Sequence, residues 1–291
     1  MDGISWIDER ADRMTEVFSR TPLAVDFPLL KGVSIPSTTL HSLQDAALNF
    51  LQSSVVAFIP GKSLDCLPWG LKENRHDLEA LPNKTPNGVI RPYLENVKAF
   101  KQFSDVLYSF LVNDKLSEGL SHLQVPPNLR LVTGTNPGAH GKRPYATDKL
   151  HTDVWAGEPQ FSLNILIPIL GDIEAVNVRF CQPSAVPPDL RRPLTDYSAA
   201  KPDALGLTEY DLSLRCGMAY FFDTFLFHQT IRQGEGLRLS VDLRGLFKVQ
   251  VMGEESPWEY PSRFMTLGQV AAGVSTEYLA ASSIADTPYH R

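Results

Sequence analysis

Three stretches of this chain alternate their residues with a period of two, and together they leave few folds open. In residues 161–169, Phe161, Leu163, Ile165, Ile167 and Ile169 fall on one side, and Ser162, Asn164 and Leu166 on the other. Residues 217–229 place Tyr220, Phe222, Thr224, Leu226 and His228 opposite Phe221, Asp223, Phe225 and Phe227, with aromatic rings on both sides. Residues 237–243 set Leu237, Leu239, Val241 and Leu243 against Arg238, Ser240 and Asp242, after a turn at Gly234-Glu235-Gly236. Successive side chains of a strand point to opposite faces, so each stretch reads as a strand, the second one buried between layers. Shorter strands are expected at 129–133 and 176–181, and at Val55-Val56-Ala57-Phe58-Ile59, which ends at Pro60-Gly61.

The residues able to do chemistry sit on or beside these strands. His151-Thr152-Asp153 precedes the first, and His228 ends the second. If both lie on strands, His151 and Asp153 share a face, and a fold bringing His228 opposite assembles two imidazoles and a carboxylate. That is the two-histidine, one-carboxylate facial triad of non-haem Fe(II) oxygenases, which leaves the remaining positions of the metal open. Ten residues after His228 stands Arg238, whose planar guanidinium grips a carboxylate through two hydrogen bonds and stays charged at any working pH. Ser240 faces the same way and can donate a third bond. Read singly, Asp153 is equally a turn cap and His228 a satisfied core histidine. The constellation, framed by strand patterns, is what points to a metal.

His151, Asp153, His228, Arg238 and Ser240 resemble, position for position, the pattern of the Fe(II)/2-oxoglutarate-dependent oxygenase superfamily, His-x-Asp, a long interval, His, then Arg-x-Ser, as in its phytanoyl-CoA-hydroxylase-like members. The resemblance covers about residues 129–247. It implies a double-stranded β-helix (jelly roll, cupin-like), mainly β with flanking α-helices. It also implies Fe(II) held by His151, Asp153 and His228, with 2-oxoglutarate on the iron and paired at its far end with Arg238 and Ser240, and dioxygen as oxidant. One face of a jelly-roll sheet packs under helices and the other lines the cavity, which places Ser162 and Asn164 inside, with Asn164 able to reach 2-oxoglutarate or a substrate. The implied reaction is oxidation of a C–H bond: hydroxylation, desaturation or cyclisation. Related halogenases carry Gly or Ala where Asp153 stands, which disfavours halogenation. Two rivals stay open. One is a cupin-like metal enzyme that does not use 2-oxoglutarate; the other is a metal-free jelly-roll binding protein.

Around this core the chain reads as one domain, with a helical and loop scaffold at 1–125, the jelly roll at 126–247 and an extension at 248–291. Residues 4–19 and 40–53 read as helices, the second with Ser37-Thr38-Thr39 as candidate caps. Residues 61–93 read mostly as loop. Residues 94–112 form the clearest amphipathic helix, with Val97, Phe100, Phe103, Leu107, Phe110 and Leu111 in one stripe. The loop at 134–149 delivers the chain to His151 and carries Arg143 and Tyr145; Trp155 follows Asp153 closely. These three, with Arg191 from the proline-rich stretch 182–211, are candidate substrate residues, and 182–211 is a candidate lid. A further helix is expected at 267–281, and a loose tail from 282.

The net charge of −6 argues against a nucleic-acid or anionic-membrane partner and leaves a small-molecule substrate, a free metabolite in specialised-metabolite biosynthesis. Its charge is not legible: aromatic residues near the site suit an apolar compound, and the arginines suit an acid. Cys66, Cys181 and Cys216 lack disulfide or zinc spacing, and no signal or spanning segment is visible, so a reducing cytoplasmic setting is expected. Oligomeric state is not legible.

Overall fold

Residues 237–243 become the centre of the larger of two facing sheets. The computed structural model describes residues 6–23, 29–63, 70–135, 142–248 and 263–283. In chain order its elements are α1 (Trp6–Phe18), β1 (Leu30–Ser34), α2 (Ser37–Phe58), α3 (Gly70–Glu73), α4 (Arg75–Glu79), β2 (Val89–Ile90), α5 (Val97–Asn113), β3 (Leu120–Gln124) and β4 (Asn128–Thr133). They continue as β5 (Ser162–Gly171), β6 (Val176–Pro183), β7 (Leu207–Glu209), β8 (Met218–Asp223), β9 (Phe227–Arg232), β10 (Leu237–Phe247), β11 (Phe264–Thr266), α6 (Leu267–Ala271) and α7 (Thr276–Ser283).

The large sheet runs β1-β8-β5-β10. On its far edge β10 is long enough to pair with β4 along its first half and with β3 at its end. The small sheet runs β7-β6-β9, and His151 joins its edge through an antiparallel bridge to His228. Followed along the chain, β4 lies in the large sheet, His151 in the small, β5 in the large, β6 and β7 in the small, β8 in the large, β9 in the small and β10 in the large. This winding of antiparallel pairs between two sheets is a double-stranded β-helix, mainly β with flanking helices.

Residue parity divides the protein into two cores. Leu163, Ile165 and Ile167 of β5 and Leu237, Leu239 and Val241 of β10 face outward, under Leu43, Phe50 and Leu51 of α2 and Phe100, Phe103 and Leu107 of α5. Burying each such side chain contributes on the order of 1.5–3 kcal/mol, so this layer holds the register of the sheet. Between the sheets, Leu166, Tyr220 and Phe222 meet Val178, Phe180 and Phe227. A slip of one residue in β10 would exchange Arg238 for Leu239, and the helical layer forbids it.

Several expectations are corrected. Residues 55–58 are not a strand but the last turn of α2, which runs from Ser37 to Phe58. Leu48, Leu51 and Val55 continue its buried stripe while Val56 is 58% exposed, so packing against α5 outweighs the β-propensity of Val-Val. Pro36 precedes the helix, and Ser37, Thr38 and Thr39 lie in its first turn without capping it. Residues 217–229 are two strands in different sheets. Asp223 turns the chain: its side chain accepts from the Phe225 N–H (2.7 Å) and its carbonyl from the Leu226 N–H (2.9 Å). Thr224, Phe225 and Leu226 are buried, so this turn carries none of the Gly or Pro signals of an exposed one. The expected scaffold at 1–125 contributes β1, β2 and β3 to the large sheet. Part of the expected loop at 61–93 forms α3, α4 and β2. The expected C-terminal helix is two, parted at Gly273 with φ +95°. His140, Cys66 and the tail beyond 283 lie outside the described residues.

Candidate metal centre

The backbone brings the two histidines together directly. His151 N–H donates to the His228 carbonyl (3.1 Å) and His228 N–H to the His151 carbonyl (2.9 Å). Asp153 is not on a strand, as the alternation argument supposed; it opens a 3-10 turn, Asp153–Ala156, and its N–H donates to the Thr224 carbonyl (3.2 Å). Thr152 between them is still extended (φ −115°, ψ 153°), so His151 and Asp153 keep a common side.

Donor atoms of His151, Asp153 and His228 all lie within 4.8 Å of one another. Each imidazole donates its Nδ1–H to a carbonyl two residues upstream, His151 to Lys149 (2.7 Å) and His228 to Leu226 (3.0 Å). A carbonyl only accepts, so this fixes the tautomer and leaves both Nε2 lone pairs turned inward, 4.0 and 3.7 Å from Asp153 Oδ1. Burial, and then His228, pushes the His151 pKa down to about 3, so the ring is neutral as a metal ligand must be. Burial opposes the Asp153 charge, but the Arg244 guanidinium, which also hydrogen-bonds it, holds its carboxyl below the usual carboxylate range. Two imidazoles whose Nε2 atoms turn toward one ionised carboxylate, with the histidine orientations secured from behind, are a donor set that fits a divalent transition metal.

The same cavity holds Arg238. Arg238 is 2% exposed and donates from Nη1 to the Val176 carbonyl (2.8 Å), while its Nε has no partner. Among the described residues no carboxylate pairs with it. Burial, then Arg130 and Arg232 nearby, lowers its pKa to about 9. An uncompensated buried cation is costly and invites an anion. Two residues on along β10, Ser240 Oγ is fully buried without a hydrogen bond, and Ser240 does not line the cavity. The other two arginines of the wall are already matched: Arg130 Nε donates to Asp242 Oδ2 (2.7 Å) and Arg244 Nη2 to Asp153 Oδ2 (2.8 Å).

Other predicted residues fall outside the cavity wall. Asn164 is buried with both side-chain polar atoms unpartnered, on the inner face of β5 as expected, yet Leu166 rather than Asn164 lines the cavity. Trp155 is fully buried, donates from Nε1 to the Leu190 carbonyl (2.8 Å) and packs edge-on against Phe227. Tyr145 donates to the Leu194 carbonyl (2.8 Å), and Arg143 to Asn87 Oδ1 (2.8 Å). Arg191 lies over the Trp6 ring at 4.4 Å and donates to the Val186 carbonyl, so its charge serves the packing of α1. Sequence reasoning missed Tyr197, whose ring stacks on His151 at 4.3 Å and 12° and lines the cavity. Its proline-rich segment has no periodicity from which to read a face. Arg244 was also missed, although it extends the alternation of Arg238, Ser240 and Asp242 by one step.

No family model matches this sequence, and no curated protein matches it either. Solved structures that it is similar to include the non-heme alpha ketoglutarate dependent carbocyclase SnoK from nogalamycin biosynthesis, at 10% identity over 89% of this chain and 94% of that one, with a TM-score of 0.46. The epimerase SnoN from the same biosynthesis aligns at 13% identity over 89% of this chain and 99% of that one (TM-score 0.40). EctD from S. alaskensis with 2-oxoglutarate and 5-hydroxyectoine aligns at 12% identity over 84% of this chain and 80% of that one (TM-score 0.38). Independently of these alignments, the structure is a double-stranded β-helix in which donor atoms of His151, Asp153 and His228 converge, as the resemblance seen in the sequence implied.

Proposed function

We propose that this protein is a non-haem Fe(II)- and 2-oxoglutarate-dependent dioxygenase that oxidises a C–H bond of a small-molecule metabolite. His151, Asp153 and His228 would hold the metal. Arg238, with Ser240 next to it on the same strand face, would take the far carboxylate of 2-oxoglutarate. One observation carries the reading: a single cavity contains both the three-donor cluster and a buried guanidinium with no carboxylate partner among the described residues. A scaffold or plain metal site has no need of the second.

When bound, the iron supplies activation of dioxygen, coupled to conversion of 2-oxoglutarate to succinate and carbon dioxide. The protein's own part is positioning and exclusion. Lys149 and Leu226 carbonyls hold the imidazoles in the ligating tautomer, and Arg238 sets the direction in which the co-substrate lies. Leu166, Val178, Phe222 and Tyr197 wall the cavity with apolar and aromatic surface, which keeps water from the reacting centre and suits an uncharged carbon skeleton. Asp153 would be a third protein ligand where related halogenases carry Gly or Ala, which favours hydroxylation, desaturation or cyclisation over halogenation. We place the substrate among specialised metabolites.

The test is an anaerobic titration of metal-free protein with Fe(II) and 2-oxoglutarate, following the visible charge-transfer band of a chelated oxo acid. A band in wild type that is lost in His228→Ala, and that needs far more 2-oxoglutarate in Arg238→Ala, is the expected result. Iron uptake without a band would replace this reading by a cupin-like metal enzyme. Failure to retain Fe(II) would leave a binding protein.

A further inference from the structure

We propose that Arg244 is a positioning residue for the metal centre: it occupies one oxygen of Asp153, so that the carboxylate offers a metal the other oxygen alone. This rests on the metal-binding reading above. Arg244 lies on β10, six residues beyond Arg238 on the same face, and is 4% exposed. Its Nη2 donates to Asp153 Oδ2 at 2.8 Å. The opposite oxygen, Oδ1, is the one set 3.7 Å from His228 Nε2 and 4.0 Å from His151 Nε2. The two oxygens of one carboxylate are thereby assigned different tasks.

The guanidinium is itself held from behind. Gln124 Oε1 accepts from Arg244 Nη1 (3.3 Å) and from the Arg244 backbone N–H (3.1 Å), which anchors both ends of the side chain to β3. Glu158 Oε1 stands 3.6 Å from Nη1 and is buried as well. The Glu158 N–H donates to the Asp153 carbonyl (3.2 Å), so the turn that carries Asp153 also carries the second anion of the set. Glu158, Arg244 and Asp153 form a buried row of alternating charge in which the middle group has carboxylates on two sides and little freedom to swing away.

A carboxylate bound through both oxygens fills one more coordination position than a carboxylate bound through one. A metal that must accept a chelating oxo acid and dioxygen beside three protein ligands cannot spare that position. The role of Arg244 is therefore to protect co-substrate access rather than to strengthen metal binding. A buried ion pair kept only for stability would affect both ligands together, or neither.

Anaerobic Fe(II) and 2-oxoglutarate affinities, measured separately, test this in wild type, in Arg244→Lys and in the double variant Arg244→Met/Glu158→Gln. The double variant removes one positive and one negative charge, so the net buried charge is kept, and thermal melts check its folding. We expect it to bind Fe(II) at least as tightly as wild type while 2-oxoglutarate affinity falls by roughly tenfold or more, within the range of outer-shell changes. Arg244→Lys, which keeps one N–H for Oδ2, is expected to recover most of that loss. If the double variant does not fold, Arg244→Leu/Glu158→Gln, which likewise leaves no donor for Oδ2, carries the same expectation. Equal 2-oxoglutarate affinity in wild type and variants, or a parallel loss of Fe(II) and 2-oxoglutarate, would overturn the inference while leaving the proposed function standing. Wild-type protein that takes up no Fe(II) would overturn both.

Discussion

His151 and His228 are a hydrogen-bonded antiparallel pair, each donating its backbone N–H to the other's carbonyl at 3.1 and 2.9 Å, with ring centroids 4.3 Å apart. Both rings are further secured in the same way, by the carbonyl two residues upstream, so the pair is a local twofold arrangement built from backbone.

Because that arrangement is made by the main chain, His228→Ala leaves it in place. We expect the variant to melt close to wild type while its affinity for divalent metal drops by more than roughly a hundredfold, beyond the usual effect of an outer-shell change. Parallel calorimetric titrations and melts decide the point. Unfolding without any prior metal binding in wild type would make His228 a core residue.

Arg238 is a buried cation without a carboxylate partner among the described residues, so its charge costs stability until a ligand arrives. Ligand-free Arg238→Met should be at least as stable as wild type. Iron-loaded wild type should gain about 2.7 kcal/mol from 2-oxoglutarate at a hundredfold excess over Kd, visible as a raised Tm. The variant should show little of that gain, its affinity being reduced roughly tenfold to a hundredfold. A Tm of Arg238→Met far below wild type would mark the residue as structural.

Gly171 pairs with Arg238 across β5 and β10, and it adopts φ +95°. An added Cβ would lie 2.0 Å from the Leu237 carbonyl oxygen, which Gly171→Ala can relieve only by displacing β10. We expect a loss of about 3 kcal/mol or more, at about 2–4 °C of Tm per kcal/mol, together with a weakened 2-oxoglutarate response. Gly234 has φ +75° but open space where an added Cβ would lie, so Gly234→Ala should cost only about 1 kcal/mol. Equal melting of the two variants would refute the close-contact argument.

Arg10 of α1 reaches Asp223 at the turn into β9, donating from Nε to Oδ1 (3.0 Å) and from Nη2 to Oδ2 (2.8 Å). Both are buried, and the guanidinium also lies 4.5 Å over the Phe225 ring. Asp223→Ala strands that charge and removes the acceptor of the Phe225 N–H, so a cost of about 3–5 kcal/mol is expected. Arg10→Met with Asp223→Asn should cost clearly less than Asp223→Ala alone. A denaturant series on the single and double variants measures the difference, and additive costs would exclude a coupled pair.

The alternation in 161–169 and 237–243 was enough to separate the helix-covered face from the cavity face, because strand parity is a local property and each misplaced apolar residue would lose its burial. His228, Arg238 and Ser240 could be placed because they lie on strands, and His151 and Asp153 because the extended Thr152 between them keeps them on a common side although neither lies in a named strand. Val55-Val56 was misread because helix and strand compete closely for a short apolar run, and only α5 decides between them. The break at 224–226 was hidden because the turn is buried. Trp155, Tyr145, Arg143 and Arg191 carried no sign of whether they would face a ligand or a carbonyl.

What the sequence determined by itself was the parity of its strands and the singling out of His151, Asp153, His228 and Arg238 as candidate ligands; the double-stranded β-helix was what its resemblance implied. Tertiary structure alone decided that His151 pairs with His228, that Tyr197 stacks on His151 and that Arg244, rather than solvent, holds Asp153 Oδ2. The physical reason is range: side-chain direction follows from neighbours two residues apart, whereas the partner of a buried polar group depends on which distant strands the packing of the whole core brings within about 3 Å.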